Sequence, residues 1–382
     1  MGMGDAGAKA RRVANFQAGP AQLPVPVLGQ AARAMTDVTP DGAGVSIAEL
    51  GHRTEQFERI MDQTCADIRR LLQLPDTHSI LFMPGGGSAQ FSAVPLNLLG
   101  ATGKDTADYI VTGSWSEKAA TEAKKYCNVN VVYSGKAQGY TDCPQQGQAL
   151  SFSPDPAYVY YCANETVNGV EYPGVPDCPN GVPLVGDFSS TFMSRPFAAD
   201  DYAKFAVVFA GAQKNVGPPG ITIVIVQNDM IGKALGITPL MLDYRTFSAH
   251  KSLYNTPPTI SVYMVGLMMQ WIESMGGVDA LGKINDAKAS ALYDAIDGSR
   301  LFKCSVSRNC RSRMNVVFTI NGDCSGELLR SFLSEAESNG MVGLAGHRSV
   351  GGVRASLYNA VSKDNVDQLI QFMKDFESRH LP

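Results

Sequence analysis

The residue that most invites a chemical reading is Lys214, the single cation in Ala210-Gly-Ala-Gln-Lys-Asn-Val-Gly-Pro-Pro-Gly220. Apolar runs at 205–210 and 221–226 flank this segment. Short, β-branched and bounded by turn residues, they read as buried strands of a covered sheet. A lysine between such strands either snorkels to water or does chemistry. Beside a desolvated pocket its amine loses affinity for its proton, which a Schiff-base nucleophile requires. A solvated loop lysine is the plainer alternative. Asp187, in Leu184-Val-Gly-Asp-Phe-Ser-Ser190, stands at the end of another apolar strand. That is where open α/β sheets gather ligands, although aspartate is also a common turn residue.

Anion-binding chemistry is written at both ends of the chain. His347, Arg348 and Arg354 fall in one glycine-rich turn and strand, too cationic for a core. The guanidinium fork of Arg354 suits a carboxylate. His52 and Arg53 lie just ahead of a helix, where cations are mildly unfavourable unless an anion is held there. Pro84-Gly-Gly-Gly-Ser-Ala-Gln90 follows an apolar strand at 79–83 and enters a helix. Consecutive glycines let backbone amides approach a phosphate at a helix N-terminus. Neither G-x-G-x-x-G nor the P-loop lysine is present, which argues against an NTPase.

The elements that must position these residues alternate in type, as in an α/β fold. Residues 109–116 read as a strand ending at Trp115, and 158–162 as another strand. Residues 57, 60, 61, 68, 71 and 72 form a helical apolar stripe. A proline turn at 254–261 leads into an apolar helix at 262–271, which ends near Met275-Gly-Gly-Val278. The remainder reads as a smaller α/β unit, with a strand at 314–320, an amphipathic helix at 326–338 and a last helix apolar at 366, 369, 370, 373 and 376.

At 382 residues the chain exceeds the usual size of one core, so two domains are expected. Hydrophobic content of 45%, charged content of 18% and a net charge of −4 describe an ordinary globular protein. They argue against nucleic acid or an anionic membrane as partner. The eight cysteines contain no C-x-x-C pair, which points to reduced thiols in the cytoplasm rather than a disulfide frame or metal site. No apolar run reaches membrane-spanning length, and the first twelve residues lack the apolar core of a signal peptide.

The lysine segment resembles the cofactor-lysine signature of the phosphoserine aminotransferases, class V members of the fold-type-I pyridoxal-phosphate enzymes. Asn15-Phe-Gln-Ala-Gly-Pro-Ala-Gln-Leu-Pro24, Gly51-His-Arg-Thr54, the triple-glycine turn, Gly113-Ser-Trp-Ser116, Asn164-Glu-Thr166, Asp187-Phe-Ser-Ser190, Tyr254-Asn-Thr-Pro257 and the turn around His347 resemble further blocks of that family, in order. Gln17-Ala18 and Ala89 depart from its pattern.

The resemblance implies a large domain with a mainly parallel mixed sheet covered by helices, and a smaller C-terminal α/β domain. The expected division is a disordered tail at 1–14, an arm and cofactor domain at 15–268, and a small domain at 269–382. It implies pyridoxal 5'-phosphate bound by Gly87, Ser88, Trp115, Thr166, Asp187, Gln213 and Lys214. Asn255 and Thr256 are implied to reach the partner's cofactor in a homodimer. Lys214, Asp187 and Trp115 would be catalytic, with Trp115 stacked on the pyridine ring. His52, Arg53, His347, Arg348 and Arg354 would bind substrate, and no metal is implied.

The activity implied is transamination between glutamate and 3-phosphohydroxypyruvate, with a related step in vitamin B6 synthesis left open. Rival readings are another class V transaminase, a desulfurase-like lyase, or a silent binding protein on the same fold. The cationic cluster separates the first rival, because alanine or glyoxylate has no need of it. A desulfurase also needs a mobile-loop cysteine motif, which the sequence lacks.

Overall fold

The computed structural model describes residues 12–39, 42–145, 147–197, 199–321 and 325–381. Its centre is a seven-stranded sheet. In chain order the strands are β1 (His78–Met83), β2 (Thr106–Val111), β3 (Asn128–Ser134), β4 (Val159–Cys162), β5 (Leu184–Asp187), β6 (Phe205–Gly211) and β7 (Thr222–Gln227). The spatial order is β1-β7-β6-β5-β4-β2-β3. Only β7 opposes the common direction, pairing antiparallel with both β1 and β6. Every residue of β4, β5 and β6 is buried, as expected of strands covered on both faces, whereas edge strand β3 is partly exposed.

Helices α1 (Glu55–Leu72), α2 (Gly86–Thr102), α3 (Ser114–Ala123) and α4 (Thr259–Ser274) belong to this unit. The apolar stripe read in the sequence is that of α1, which begins on Thr54, whose side chain accepts from the Phe57 amide. Gly266 permits the close approach of α1 and α4, since a Cβ there would lie 2.7 Å from Thr64 Oγ1. Trp115 differs from expectation. It is the second residue of α3 rather than a strand end, because β2 stops at Val111 and Thr112-Gly113 turns the chain into the helix.

The smaller unit holds the three-stranded antiparallel sheet β8 (Phe302–Lys303), β9 (Asn315–Ile320) and β10 (Val353–Ser356). Helices α5 (Gly277–Asp297), α6 (Glu327–Ser338) and α7 (Lys363–His380) surround a core containing Phe302, Phe318, Phe332, Phe372 and Phe376. The division expected after residue 268 falls inside α4, where Met268, Met269 and Ile272 share the large core. Core membership changes within α5 instead, between Leu281 and Ala289. Of the tail expected at 1–14, residues 1–11 lie outside the described residues. Ala14–Asn15 pairs in parallel with Met341–Val342, and Phe16 is buried in the small core. Gly343 allows this crossing, since a Cβ there would come within 2.3 Å of Gln17 Cγ, and its φ is +79°.

One buried cation ties α5 to the chain after β10. Lys288 Nζ donates to the carbonyls of Leu357, Tyr358 and Val361 at 2.9, 3.1 and 2.8 Å. Next to them, Asn359 donates its backbone N–H to Asn215 Oδ1 (3.1 Å), beside the lysine loop. Burial pushes the Lys288 pKa down from 10.5 to about 7. Between those values the unfolded chain carries a proton that the folded chain has lost, so this group makes stability rise with pH. Lys288→Met should cost on the order of 3 kcal/mol by leaving buried carbonyls without donors. It should also abolish that rise; thermal melts across the same pH range that stay parallel for both proteins would refute the assignment.

Candidate active site

Strands β5 and β6 run side by side, with Asp187 opposite Phe209. Lys214 follows in the loop that joins β6 to β7. Its Nζ donates to Thr166 Oγ1 at 2.6 Å and lies 5.7 Å from the centroid of the Trp115 ring. Burial lowers the lysine's pKa, opposed by Asp187 above all and by Cys162 and Glu165, while Arg354 lowers it further. Burial conversely raises the pKa of Asp187, opposed by Lys214 and by hydrogen bonds from Ser189, whose N–H donates to Asp187 Oδ1 at 2.9 Å. Each of the two charges thus offsets part of the other's desolvation.

Gly87, Ser88, Trp115, Thr166, Asp187, Gln213 and Lys214 line one cleft of about 120 Å³. A larger cleft of about 590 Å³ between α1 and α4 contains none of the sequence-predicted site residues. Its lining lacks a convergent set of titratable groups, so chemistry rather than size identifies the site. Gly85 and Gly86 have φ of 89° and 66° at the start of α2, which has no side-chain cap. A Cβ on Gly87 would lie 3.3 Å from Ser189 Oγ and 3.5 Å from a carbon of the Phe209 ring. The turn therefore presents free amides to the cleft.

The start of α3 is occupied in a different way. Glu165, fully buried, accepts from Trp115 N at 2.8 Å, Ser116 N at 2.9 Å and Ser116 Oγ at 2.5 Å. Asn168 Oδ1 accepts from Ser114 N at 2.9 Å. Burial raises the Glu165 pKa and these donors oppose the rise. A Cβ on Gly113 would come within 2.5 Å of this carboxylate. Glu165 thereby fixes the helix start that carries Trp115. Nothing local to the Asn-Glu-Thr block, whose resemblance singles out only Thr166, reveals that its acid caps a helix fifty residues earlier in the chain.

The N-terminal arm covers the lysine loop. A Cβ on Gly19 would lie 3.3 Å from Lys214 Cγ, and Ala21 N donates to Gln213 O at 2.9 Å. Ala18, which lacks a hydroxyl, offers its carbonyl instead to Tyr358 OH at 3.0 Å.

Cations gather on the same side. Arg354 Nη1 donates to Thr166 O at 3.3 Å, while its buried Nε has no partner among the described residues. Burial lowers the pKa of His347, and the nearby charges of Arg354, Lys118 and Arg348 lower it further. Lys118, which sequence reading did not single out, holds its Nζ 4.2 Å from the Trp115 ring centroid. Its helical position, one turn after Trp115, was the available signal. No carboxylate pairs with Lys118, His347, Arg348 or Arg354 among the described residues.

The other predicted residues form a separate surface group. Arg53 Nη2 donates to Tyr254 O at 3.5 Å, and Asn255 Nδ2 to Thr256 O at 3.2 Å. His52 Nε2 is buried without a partner. None of His52, Arg53, Asn255 and Thr256 lines the Lys214 cleft; His347, Arg348 and Arg354 do not line it either, but Arg354 borders it through its bond to Thr166.

Glu165→Gln preserves shape but turns an amide NH₂ toward groups that are themselves donors. It should cost roughly 2 kcal/mol and alter the emission of Trp115, read in a Trp271→Phe background. A variant that melts like the native protein with unchanged emission would show that Glu165 does not hold α3.

Comparison with known proteins places the chain in a family. The aminotransferase class-V family matches residues 13–369. The phosphoserine aminotransferase of Drosophila melanogaster is 50% identical over 367 residues, covering 95% of this chain and 98% of that protein. The solved phosphoserine aminotransferase from Bacillus circulans subsp. alkalophilus superposes with a TM-score of 0.91 at 40% identity, covering 97% of this chain and 99% of that one. A pyridoxal-phosphate-bound phosphoserine aminotransferase from Trichomonas vaginalis gives 0.89 at 37% identity, covering 95% and 100%. With the family model matching residues 13–369 and relatives alike over almost their whole length, the chain belongs to the class-V aminotransferases, in the phosphoserine aminotransferase family.

Proposed function

We propose that this chain transfers the amino group of L-glutamate to 3-phosphohydroxypyruvate, forming O-phospho-L-serine and 2-oxoglutarate for serine synthesis. It would do so as a cytoplasmic homodimer with pyridoxal 5'-phosphate in the Lys214 cleft. The observation that carries this reading is the set of cations without carboxylate partners beside a desolvated lysine. A substrate with a carboxylate and a phosphate supplies the missing negative charge; alanine or glyoxylate supplies much less. The seven described cysteines are free thiols, which fits a reducing compartment. Among the described residues no helix is long and apolar enough to cross a membrane.

The residues present fit the cofactor. The uncapped α2 start and Gly87 leave amides for a phosphate, Trp115 offers an aromatic face, and Asp187 is a buried carboxylate. When bound, pyridoxal 5'-phosphate supplies a carbonyl for amine exchange and a ring that accepts electrons from the substrate Cα. Lys214 Nζ, its proton loosened by burial, moves the Cα proton. Asp187 provides the negative charge that keeps the pyridine nitrogen protonated. Thr166 and Gln213 orient the lysine side of the cleft, Gly87 and Ser88 bind phosphate, and Arg354 forks onto the substrate α-carboxylate.

Two chains would complete each site. His52, Arg53, Asn255 and Thr256 form a group apart from the chain's own cleft, as expected if they serve the partner's. His347 and Arg348 would then meet the partner's His52 and the partner's Arg53 around the distal anion.

Lys214→Ala should remove transamination while leaving the fold intact. Borohydride should fix the cofactor covalently to the native chain and not to the variant, as read by intact mass. Fixation at another residue would overturn the assignment of Lys214. Arg53→Ala and Arg348→Ala should each lower kcat/KM for the phosphorylated substrate on the order of 100-fold, with hydroxypyruvate affected far less. Co-expressed, the two variants should form partly active mixed dimers, because one site regains both arginines. Inactive mixed dimers, isolated by two tags, would refute the shared site.

A further inference from the structure

Cysteines scattered along the sequence converge at a second place in the fold. The sulfurs of Cys143 and Cys310 and one oxygen of Asp142 all lie within 4.8 Å of one another. Cys143 and Cys310 are buried, at 2% and 1% exposure, whereas Asp142 is half-buried. None of the three lines the Lys214 cleft. We propose that Asp142, Cys143 and Cys310 form a binding site for a soft divalent cation of the zinc class.

The framework is built from both units of the fold. Ser307 N donates to Thr141 O at 2.8 Å, joining the segment after β3 to the turn between β8 and β9. Cys310 N donates to Ser307 O at 3.0 Å, which closes that turn under the sulfur. Asp142 Oδ1 accepts from Cys143 N at 2.9 Å and Gln145 Nε2 at 3.3 Å, and Cys310 Sγ lies 3.6 Å from it. These bonds hold the Asp142 carboxylate and the Cys310 turn together.

The arginines closest in sequence, Arg308 and Arg311, are paired with Asp297. An incoming divalent cation would displace one proton from each thiol to solvent and be held by the two thiolates and the Asp142 carboxylate. Two thiolates with one carboxylate select a soft ion over magnesium or calcium. Water on the half-exposed Asp142 side can complete a tetrahedron.

The test titrates the reduced, chelator-treated holoenzyme with Cd²⁺. One tight equivalent is expected, with near-ultraviolet thiolate-to-metal absorbance, release of about two protons per cation and a raised melting temperature. Cys143→Ala and Cys310→Ala should each lose that equivalent and keep transaminase activity. Cys310→Ser serves the same purpose should either alanine variant fail to fold. The proposal is overturned if the native enzyme binds no tight equivalent, or if the variants bind Cd²⁺ as the native enzyme does, through other thiols. It is also overturned if mild peroxide converts the pair to a Cys143–Cys310 disulfide, found by peptide mapping, while Cd²⁺ is ignored.

Discussion

The structure depends on holding an amine and a carboxylate in the same desolvated place. Lys214 and Asp187 emerge from neighbouring strands whose every residue is buried, so neither can shed its charge to bulk water cheaply. The amine's charge helps the carboxylate remain an anion, while burial, only partly offset by that carboxylate, lets the amine lose its proton more readily than an exposed lysine would. That balance requires the parallel sheet. Parallel strands β5 and β6 bring their carboxyl ends to one edge, and β7 returns antiparallel so that the lysine loop closes tightly across it.

Around this pair, negative and positive groups have different jobs. Glu165 is spent on backbone and side-chain donors at the start of α3, where it fixes the position of Trp115. The start of α2 has no such cap and keeps its amides for a ligand. Toward solvent, Lys118, Arg348 and Arg354 gather, and burial together with these charges drives the pKa of His347 down. Such a concentration of charge is unfavourable in the empty protein and favourable once an anion enters, which is how a site acquires preference for dianionic substrates.

Much of this was legible in the sequence. The strands around Lys214, the glycine turn, the α1 stripe and Asp187 at a strand end are local signals, because burial imposes period and composition on short windows. Trp115 was misplaced by one element, since an apolar strand and the helix that follows it share a continuous run of small and aromatic residues. Glu165, Lys118 and the Cys143–Cys310 contact were missed for a different reason. Their meaning lies in partners distant along the chain, and no single sequence window contains both halves. The expected domain boundary likewise failed to anticipate α5, a single continuous helix that packs its first turns on one core and its last turns on the other.

The arm and the small unit explain why the site tolerates so few loose parts. Residues 14–16 join the small core, while Gly19 and Ala21 lie on the lysine loop of the large unit. Asn359, in the chain held by Lys288, donates to Asn215, the residue after Lys214. Arg354, four residues upstream of Tyr358, donates to the carbonyl of Thr166, whose hydroxyl holds the Lys214 amine. A displacement of the small unit would therefore reach the reactive amine by two short routes, through Asn359 and through Thr166. Closely packed interiors transmit such shifts rather than absorbing them. The positions of Arg354 and of the Lys214 amine are thus linked through the single residue Thr166.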